Sequence, residues 1–282
     1  MQHRNLLVFD IETVPDGDAA FNLTGFDDRD IAAQRAEIER YHLEVTGGKN
    51  AFPRQPFHKV VAISFLRAEI VQEGGSESFY LQELRTGGTE KSNEKELVAG
   101  FFQFFDHHKP RLVSFNGRTF DLPVLKYRAM KFGLSATYLH SAGDKWNSYT
   151  SRYSADWHCD LLEVLSDYGA SARIRLNEAC AVMGFPGKFG VDGSKVAEMF
   201  DAGRIGEIRD YCETDVLNTY LVYLRHRLHA GGLSLDDYNR AVADIISLIE
   251  TEGAERPHLT AFLEAWGEAS GNTFMLDTKL HK

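Results

Sequence analysis

Residues Asn5–Glu12 read NLLVFDIE, an apolar run ending in two carboxylates separated by one isoleucine. The unbroken stretch Leu6–Phe9 suits a strand covered on both faces. Side chains at i and i+2 of a strand leave the same face, so Asp10 and Glu12 emerge together, on the side of Leu6 and Val8. Two anions at that spacing repel, and burying either one alone is costly. A divalent cation between them relieves both problems, because hard ions take carboxylate oxygens. A strand fraying into an acidic, solvated loop accommodates the same two residues.

More strands follow. KVVAISFL (Lys59–Leu66) is a second buried-strand pattern, Ser78–Leu81 a weaker one after the Gly74-Gly75 turn signal, and RLVSF (Arg111–Phe115) another short one. Helical spacing appears over Asp27–Leu43 and over Asn93–His107, where Leu97, Phe101, Phe104 and Phe105 form a core face. From Arg175 the pattern is mostly helical: Arg175–Gly184, Ser194–Ala202, Ile205–His229, Leu235–Glu252 and Leu259–Ala269. Strands first with helices between and after them predict a mixed α/β fold with an α-helical tail. At 282 residues, against a prior of roughly 150 per domain, the expected division is one domain over 1–229, with an insertion at 15–57, and a helical C-terminal extension over 230–282.

Composition narrows the class. No apolar run reaches the ~18 residues that cross a bilayer, and the N-terminal segment meets Asp10 too soon for a signal peptide. Three cysteines without C-x-x-C spacing disfavour a disulfide scaffold or thiolate zinc site and suit a reducing cytosol, so a cytoplasmic location and no membrane partner are expected. The formal net charge of −10 advertises no polyanion partner, but cations held by carboxylates can reverse the sign at one site. The scattered histidines His42, His58, His107, His108, His140 and His158 lack metal-ligand spacing and read as surface or packing residues.

Two further acids stand out. Asp121, in NGRTFDLPVL, follows the strand Arg111–Phe115 by a short turn and opens a helix with Pro123 in its first turn, as a helix cap or as a third ligand. Tyr211 and Asp215 lie at i and i+4 of a helix and share a face with Ile208 and Val222, as a half-buried flank or as a functional pair.

Taken in order, Phe9-Asp-Ile-Glu-Thr13, Asn116–Asp121 and Tyr211–Asp215 resemble the three motifs of the DEDD superfamily of 3′→5′ exonucleases in its tyrosine-bearing branch, DEDDy. Within it, the chain looks most like the predicted exonucleases related to the proofreading domain of family-B DNA polymerases. His58–Phe65, Asp160–Gly169 and Met183–Lys188 add to the likeness, which covers about residues 5–226. The histidine branch places histidine five residues before the last aspartate; here Asp210 stands there and tyrosine stands four before.

The resemblance implies a ribonuclease-H-like fold, a mixed β-sheet flanked by helices with the acids converging. It implies that Asp10, Glu12, Asp121 and Asp215 hold two divalent cations, Mg²⁺ or Mn²⁺, with Asp10 bridging, for hydrolysis of single-stranded DNA or RNA from 3′ ends. Such ions clamp attacking and leaving oxygens. Tyr211, whose ordinary pKa is about 10, is a poor base and a better orienter of water. Thr13, Asn116 and Phe120 flank the acids as candidate nucleotide contacts. Lys188, with Lys126, Arg128, Lys131, Arg173, Arg175 and Lys195, offers phosphate grips or ordinary surface charge.

Two other readings compete. LLVFDIET followed by LVSFN also resembles the first motifs of haloacid-dehalogenase-like phosphatases, although Glu12 replaces their second aspartate and Asp210 and Asp215 sit in a helical pattern. A domain of nuclease shape that binds nucleic acid without cutting is the other.

Overall fold

In the computed structural model, which describes residues 3–188 and 193–277, the Asp10 segment becomes the central strand of a five-stranded mixed sheet. The strands are β1 (Asn5–Pro15), β2 (His58–Glu73), β3 (Ser76–Thr86), β4 (Arg111–Ser114) and β5 (His158–Asp160), ordered β3-β2-β1-β4-β5. β1 pairs antiparallel with β2, and β2 with β3; β1–β4 and β4–β5 are parallel. The helices are α1 (Ala20–Thr24) and α2 (Ile31–Val45) after β1, α3 (Glu94–His108) after β3, α4 (Asp121–Lys131) and α5 (Thr137–Ser141) between β4 and β5, then α6 (Leu161–Leu165), α7 (Leu176–Met183), α8 (Val196–Asp201), α9 (Ile205–His229), α10 (Leu235–Glu252) and α11 (Pro257–Ser270). This is the expected α/β class, a ribonuclease-H-like mixed sheet with helices on both faces. No helix among the described residues is long and apolar enough to cross a membrane.

Alternation along β1 builds the two faces. Leu6 and Val8 join Leu66, Ala68 and Val113 against Val216, Leu217 and Tyr220 of α9. Leu7, Phe9 and Ile11 turn to the other face, against Phe101, Phe102 and Phe105 of α3 and Leu122, Val124 and Leu125 of α4. α3 starts on a reciprocal capping box, with Asn93 accepting from the Glu96 N–H and Glu96 from the Asn93 N–H, both at 3.1 Å. α9 is buried all round from Tyr211 to Leu224, lying between the sheet and the last two helices.

Several elements depart from expectation. β2 and β3 are longer, joined by a tight turn in which Gly74 and Gly75 take φ of 59° and 92°. α2 starts at Ile31 rather than Asp27, because the Asp30 carboxylate caps it, accepting from the Ala33 N–H at 2.8 Å. The helix expected over Ser194–Ala202 opens with a 3₁₀ turn over Gly193–Lys195 and continues as α8. β5, α5 and α6 carried no recognised sequence signal. The C-terminal helices, described to residue 277, cover the fold: Ser78 donates to Asp237 of α10 at 2.7 Å, and Leu259, Phe262 and Trp266 of α11 are buried in the core shared with α9.

Candidate active site at the open end of the central strand

β4 pairs with β1 only across Leu6–Val8, so from Phe9 onward one edge of β1 is uncovered. Asp10 and Glu12 sit on this overhang, on the α9 face. The exposed edge needs a backbone partner, and Asp121 supplies it: its Oδ1 accepts from the Ile11 N–H at 3.2 Å, between the two strand acids. Asp121 is therefore no helix cap. Phe120 occupies the cap position and makes no side-chain capping bond, while Asp121 opens α4 with its carboxylate aimed at β1.

The turn that delivers Asp121 is tightly specified. Asn116 is held at φ 70°, a left-handed conformation that asparagine tolerates. Gly117 presses on Ser114 so closely that a β-carbon there would sit 2.4 Å from the Ser114 Oγ. Asp160 then clamps the turn, accepting from the N–H groups of Asn116 at 2.8 Å, Arg118 at 2.9 Å and Leu162 at 3.1 Å. Ser114 cannot yield freely, since its Oγ bonds His158 Nε2 at 2.8 Å. Gly117→Ala should therefore cost about 1–3 kcal/mol of stability through overpacking and misplace Asp121. Melting and turnover measured together check this, and a variant with wild-type values for both would contradict it.

α9 brings the last pair. Tyr211, Cys212 and Asp215 face β1, where the Cys212 Sγ lies 3.5 Å from the Asp10 carbonyl oxygen and 3.6 Å from its Oδ2. One ligand atom each from Asp10, Glu12 and Cys212 falls within 4.8 Å of the others. The Tyr211 hydroxyl donates to the Asp215 carboxylate, whose Oδ1 is buried without a hydrogen-bond partner among the described residues.

The electrostatics follow from this crowding. Burial, then the charges of Asp121, Glu12 and Asp215, push the Asp10 carboxyl well above its usual range. Burial and the charges of Asp215 and Asp121 do the same to Glu12. Burial raises Asp215, partly offset by Lys188 and the Tyr211 hydroxyl. Asp121 is pushed up by burial to about 7 despite its backbone hydrogen bonds. Burial first, then the neighbouring acids, drives the Tyr211 phenol up, so it keeps its proton. Burial and Asp10 likewise raise Cys212, leaving a neutral thiol beside the acids.

Clefts flank the acids. One, of about 410 Å³, is lined by Asp10 and Asp215 together with Asn116, Arg175 and Lys188. The exposed Lys188 ammonium lies 5.6 Å from the Tyr211 ring centroid. Another, of about 640 Å³, is lined by Glu12, Thr13 and Phe120 with Phe52 and His58. His58 donates from Nε2 to the Pro53 carbonyl at 2.9 Å, so its Nδ1 accepts from the Thr13 hydroxyl at 3.0 Å. His58 meets Phe120 edge-on at 4.8 Å, and Phe52 and Phe120 lie 6.0 Å apart, forming an aromatic wall beside Glu12. Phe52 was missed because it lies in the excursion after β1, where no periodicity marks it. His58 reads from sequence as a packing residue, which it is. The quoted segment His58–Phe65 is the signal that could have flagged it.

One cation of the expected basic set is spent inside the fold: Arg128 is buried and binds Glu94 and Asp16. Lys131 bonds Asp16 at 2.9 Å from an exposed position. Lys195 is exposed.

A mixed sheet whose central strand, a crossover helix and a buried long helix place acids in one nest defines a ribonuclease-H-like domain with a carboxylate-centred site. The chain belongs to the family described as "Predicted 3'-5' exonuclease related to the exonuclease domain of PolB", whose model matches residues 50–266. The matched span holds Asp121, Tyr211 and Asp215 and starts after Asp10 and Glu12. It also runs through α10 into α11, so the likeness extends past the residue 226 expected from sequence. Among solved structures, the family B DNA polymerase from the hyperthermophilic archaeon Pyrobaculum calidifontis is similar at 16% identity over 86% of this chain, with a TM-score of 0.44; the chain spans 29% of that polymerase chain. No curated protein matches.

Proposed function

We propose that this protein is a metal-dependent 3′→5′ exonuclease that hydrolyses phosphodiester bonds of single-stranded nucleic acid, DNA in preference to RNA. The observation that carries this reading is the nest of four carboxylates, half-buried Asp10 with buried Glu12, Asp121 and Asp215, in which the neighbouring acids raise Asp10 and Glu12 and a buried Asp215 oxygen has no partner among the described residues. Crowding of carboxylates beside a thiol that keeps its proton fits hard cations. The four acids would hold two divalent ions, Mg²⁺ or Mn²⁺. Such ions supply neutralisation of charge at the phosphoryl oxygens and a lowered pKa for the attacking water.

The chain's own groups do the rest. Asp121 keeps its place through the Ile11 N–H, and Asp215 through the Tyr211 hydroxyl. Tyr211 retains its proton at neutral pH, donates it in a hydrogen bond to Asp215, and orients water by accepting a hydrogen bond on its hydroxyl oxygen, not as a base. Asn116 and Lys188 contact the terminal phosphate side, and the wall of Phe120, Phe52 and His58 stacks the terminal base next to Thr13. Tyr211→Phe should lower turnover about 10²-fold while metal binding survives. Equal turnover in that variant would remove Tyr211 from the mechanism.

Incubating the protein with 3′-labelled and 5′-labelled single strands, with Mg²⁺ or Mn²⁺ and then with chelator, tests the reading. Shortening from the 3′ end that stops with chelator is the expected result; strands that are shifted but uncut would establish a binding domain instead. The phosphatase reading loses its third motif, because Asp210 and Asp215 both lie within α9. A trapped phospho-aspartate at Asp10 would restore it.

A further inference from the structure

Behind the Asn116–Asp121 turn lies a cleft of about 410 Å³ lined by Arg118, Lys126, Arg152 and Arg173, with Glu163 its one acidic lining residue. Four cations thus face one carboxylate in a chain of net charge −10. Glu163 is shared between Arg152 and Arg173, leaving a surplus of positive charge. Arg118 spends its Nη atoms on the carbonyls of Tyr149 at 3.2 Å and His158 at 2.9 Å, and its buried Nε has no partner among the described residues. Asp160 behind it is engaged by three backbone N–H groups. The half-buried Lys126 faces Arg118 without a carboxylate partner among the described residues, and burial and that neighbour lower its pKa. Desolvated cations facing each other call for an anion.

The cleft is joined to the acid site by its walls. Asn116 lines the acid cleft and Arg118, two residues on, this one; Arg175 and Arg173 are divided in the same way. The 142–157 loop that supplies Arg152 also carries Trp146 and Tyr153, 74% and 70% exposed. Lys145 lies 5.0 Å over the Trp146 ring, and Arg152 lies 5.7 Å over that of Tyr153. Interleaved cations and exposed aromatic rings are how proteins hold single strands, by phosphate contact and base stacking.

We propose that this cleft and loop form a second binding site for the substrate strand, taking an internal phosphate 5′ of the cleaved one while upstream bases stack on Trp146 and Tyr153. The assignment rests on the exonuclease reading, since with the 3′ terminus among the acids all remaining nucleotides lie on the 5′ side. It makes the enzyme sensitive to strand length.

The test uses 5′-fluorescein oligothymidylates of 2, 4, 6 and 12 nucleotides, with binding read by anisotropy in chelator, beside hydrolysis of the p-nitrophenyl ester of thymidine 5′-monophosphate with Mn²⁺. Wild-type affinity should rise with length until the strand reaches the loop. Trp146→Ala and Arg152→Gln should each weaken 12-mer binding about 5- to 10-fold and leave ester hydrolysis within about twofold. Lys126→Gln should reduce the log–log salt slope for the 12-mer by about 0.7, one phosphate contact. Length-independent wild-type binding, or 12-mer affinity unchanged in both Trp146→Ala and Arg152→Gln, overturns the site. A wild-type protein that binds with length dependence but never hydrolyses the ester upholds the site and removes the nuclease reading.

Discussion

Asp10→Asn is expected to lower turnover by about 10³-fold or more and, in the same variant, to raise the melting temperature of the metal-free protein. The first effect is the rate equivalent of several kcal/mol of charge stabilisation lost at the reacting phosphate. The second follows from what Asp10 experiences without metal. It is half-buried and desolvated, it faces Asp121, Glu12 and Asp215, and its hydrogen-bond relief is the Cys212 thiol. Asparagine keeps the shape and removes one of the repelling charges, worth about 1–2 kcal/mol on the usual scale of single substitutions. A residue whose removal harms activity and helps stability is kept for chemistry. Rates with a labelled strand and melting in chelator check both halves. Full activity in Asp10→Asn would remove Asp10 from the site, and a lowered melting temperature would mean that it serves packing.

What the sequence made legible was what repeats or pairs at short range. The bounds of α9 and α10 match expectation, because long helices carry many periods and clear ends. The i, i+2 spacing of Asp10 and Glu12 and the i, i+4 spacing of Tyr211 and Asp215 each put two side chains on one face, and those faces meet across β1 and α9. Long-range roles were not legible. Asp160 stands 44 residues after Asn116 and clamps its backbone, yet the sequence marks Asp160–Gly169 only as part of the family likeness. β5 has three residues, too few for a period to register. Arg128 looks like a free cation in sequence, but tertiary folding carries it into contact with Asp16, 112 residues away. Phe52 joins the site only because the excursion after β1 folds back beside Phe120.

Adding Mn²⁺ or Mg²⁺ to the metal-free protein should raise its melting temperature, and the rise should be larger at pH 8 than at pH 5.5. The folded-state pKa values of Asp10, Glu12 and Asp215 lie above their unfolded values, and that of Asp121 reaches about 7. For an acid raised by folding, the native state holds protons that the unfolded chain releases, so stability falls as pH climbs from the unfolded pKa toward the folded one. The metal-free protein therefore loses stability on its alkaline side. A divalent ion meets less competition from protons as pH rises through the raised pKa values of the nest, and binding at about 100 times Kd adds about 2.7 kcal/mol. Asp16, Glu77 and Glu213 run oppositely: burial alone would raise them, but arginine partners, and for Glu213 also His258, hold them below the usual carboxylate range. Their contribution is present above their unfolded pKa, about 4, and is lost as pH falls through the lower folded values, with or without metal. Metal should thus lift only the alkaline limb of the stability curve, and Asp215→Ala should lose most of that lift. A metal-induced shift that is equal at pH 5.5 and pH 8, or that survives intact in Asp215→Ala, would place the ion elsewhere on the molecule and leave the four acids without their partner.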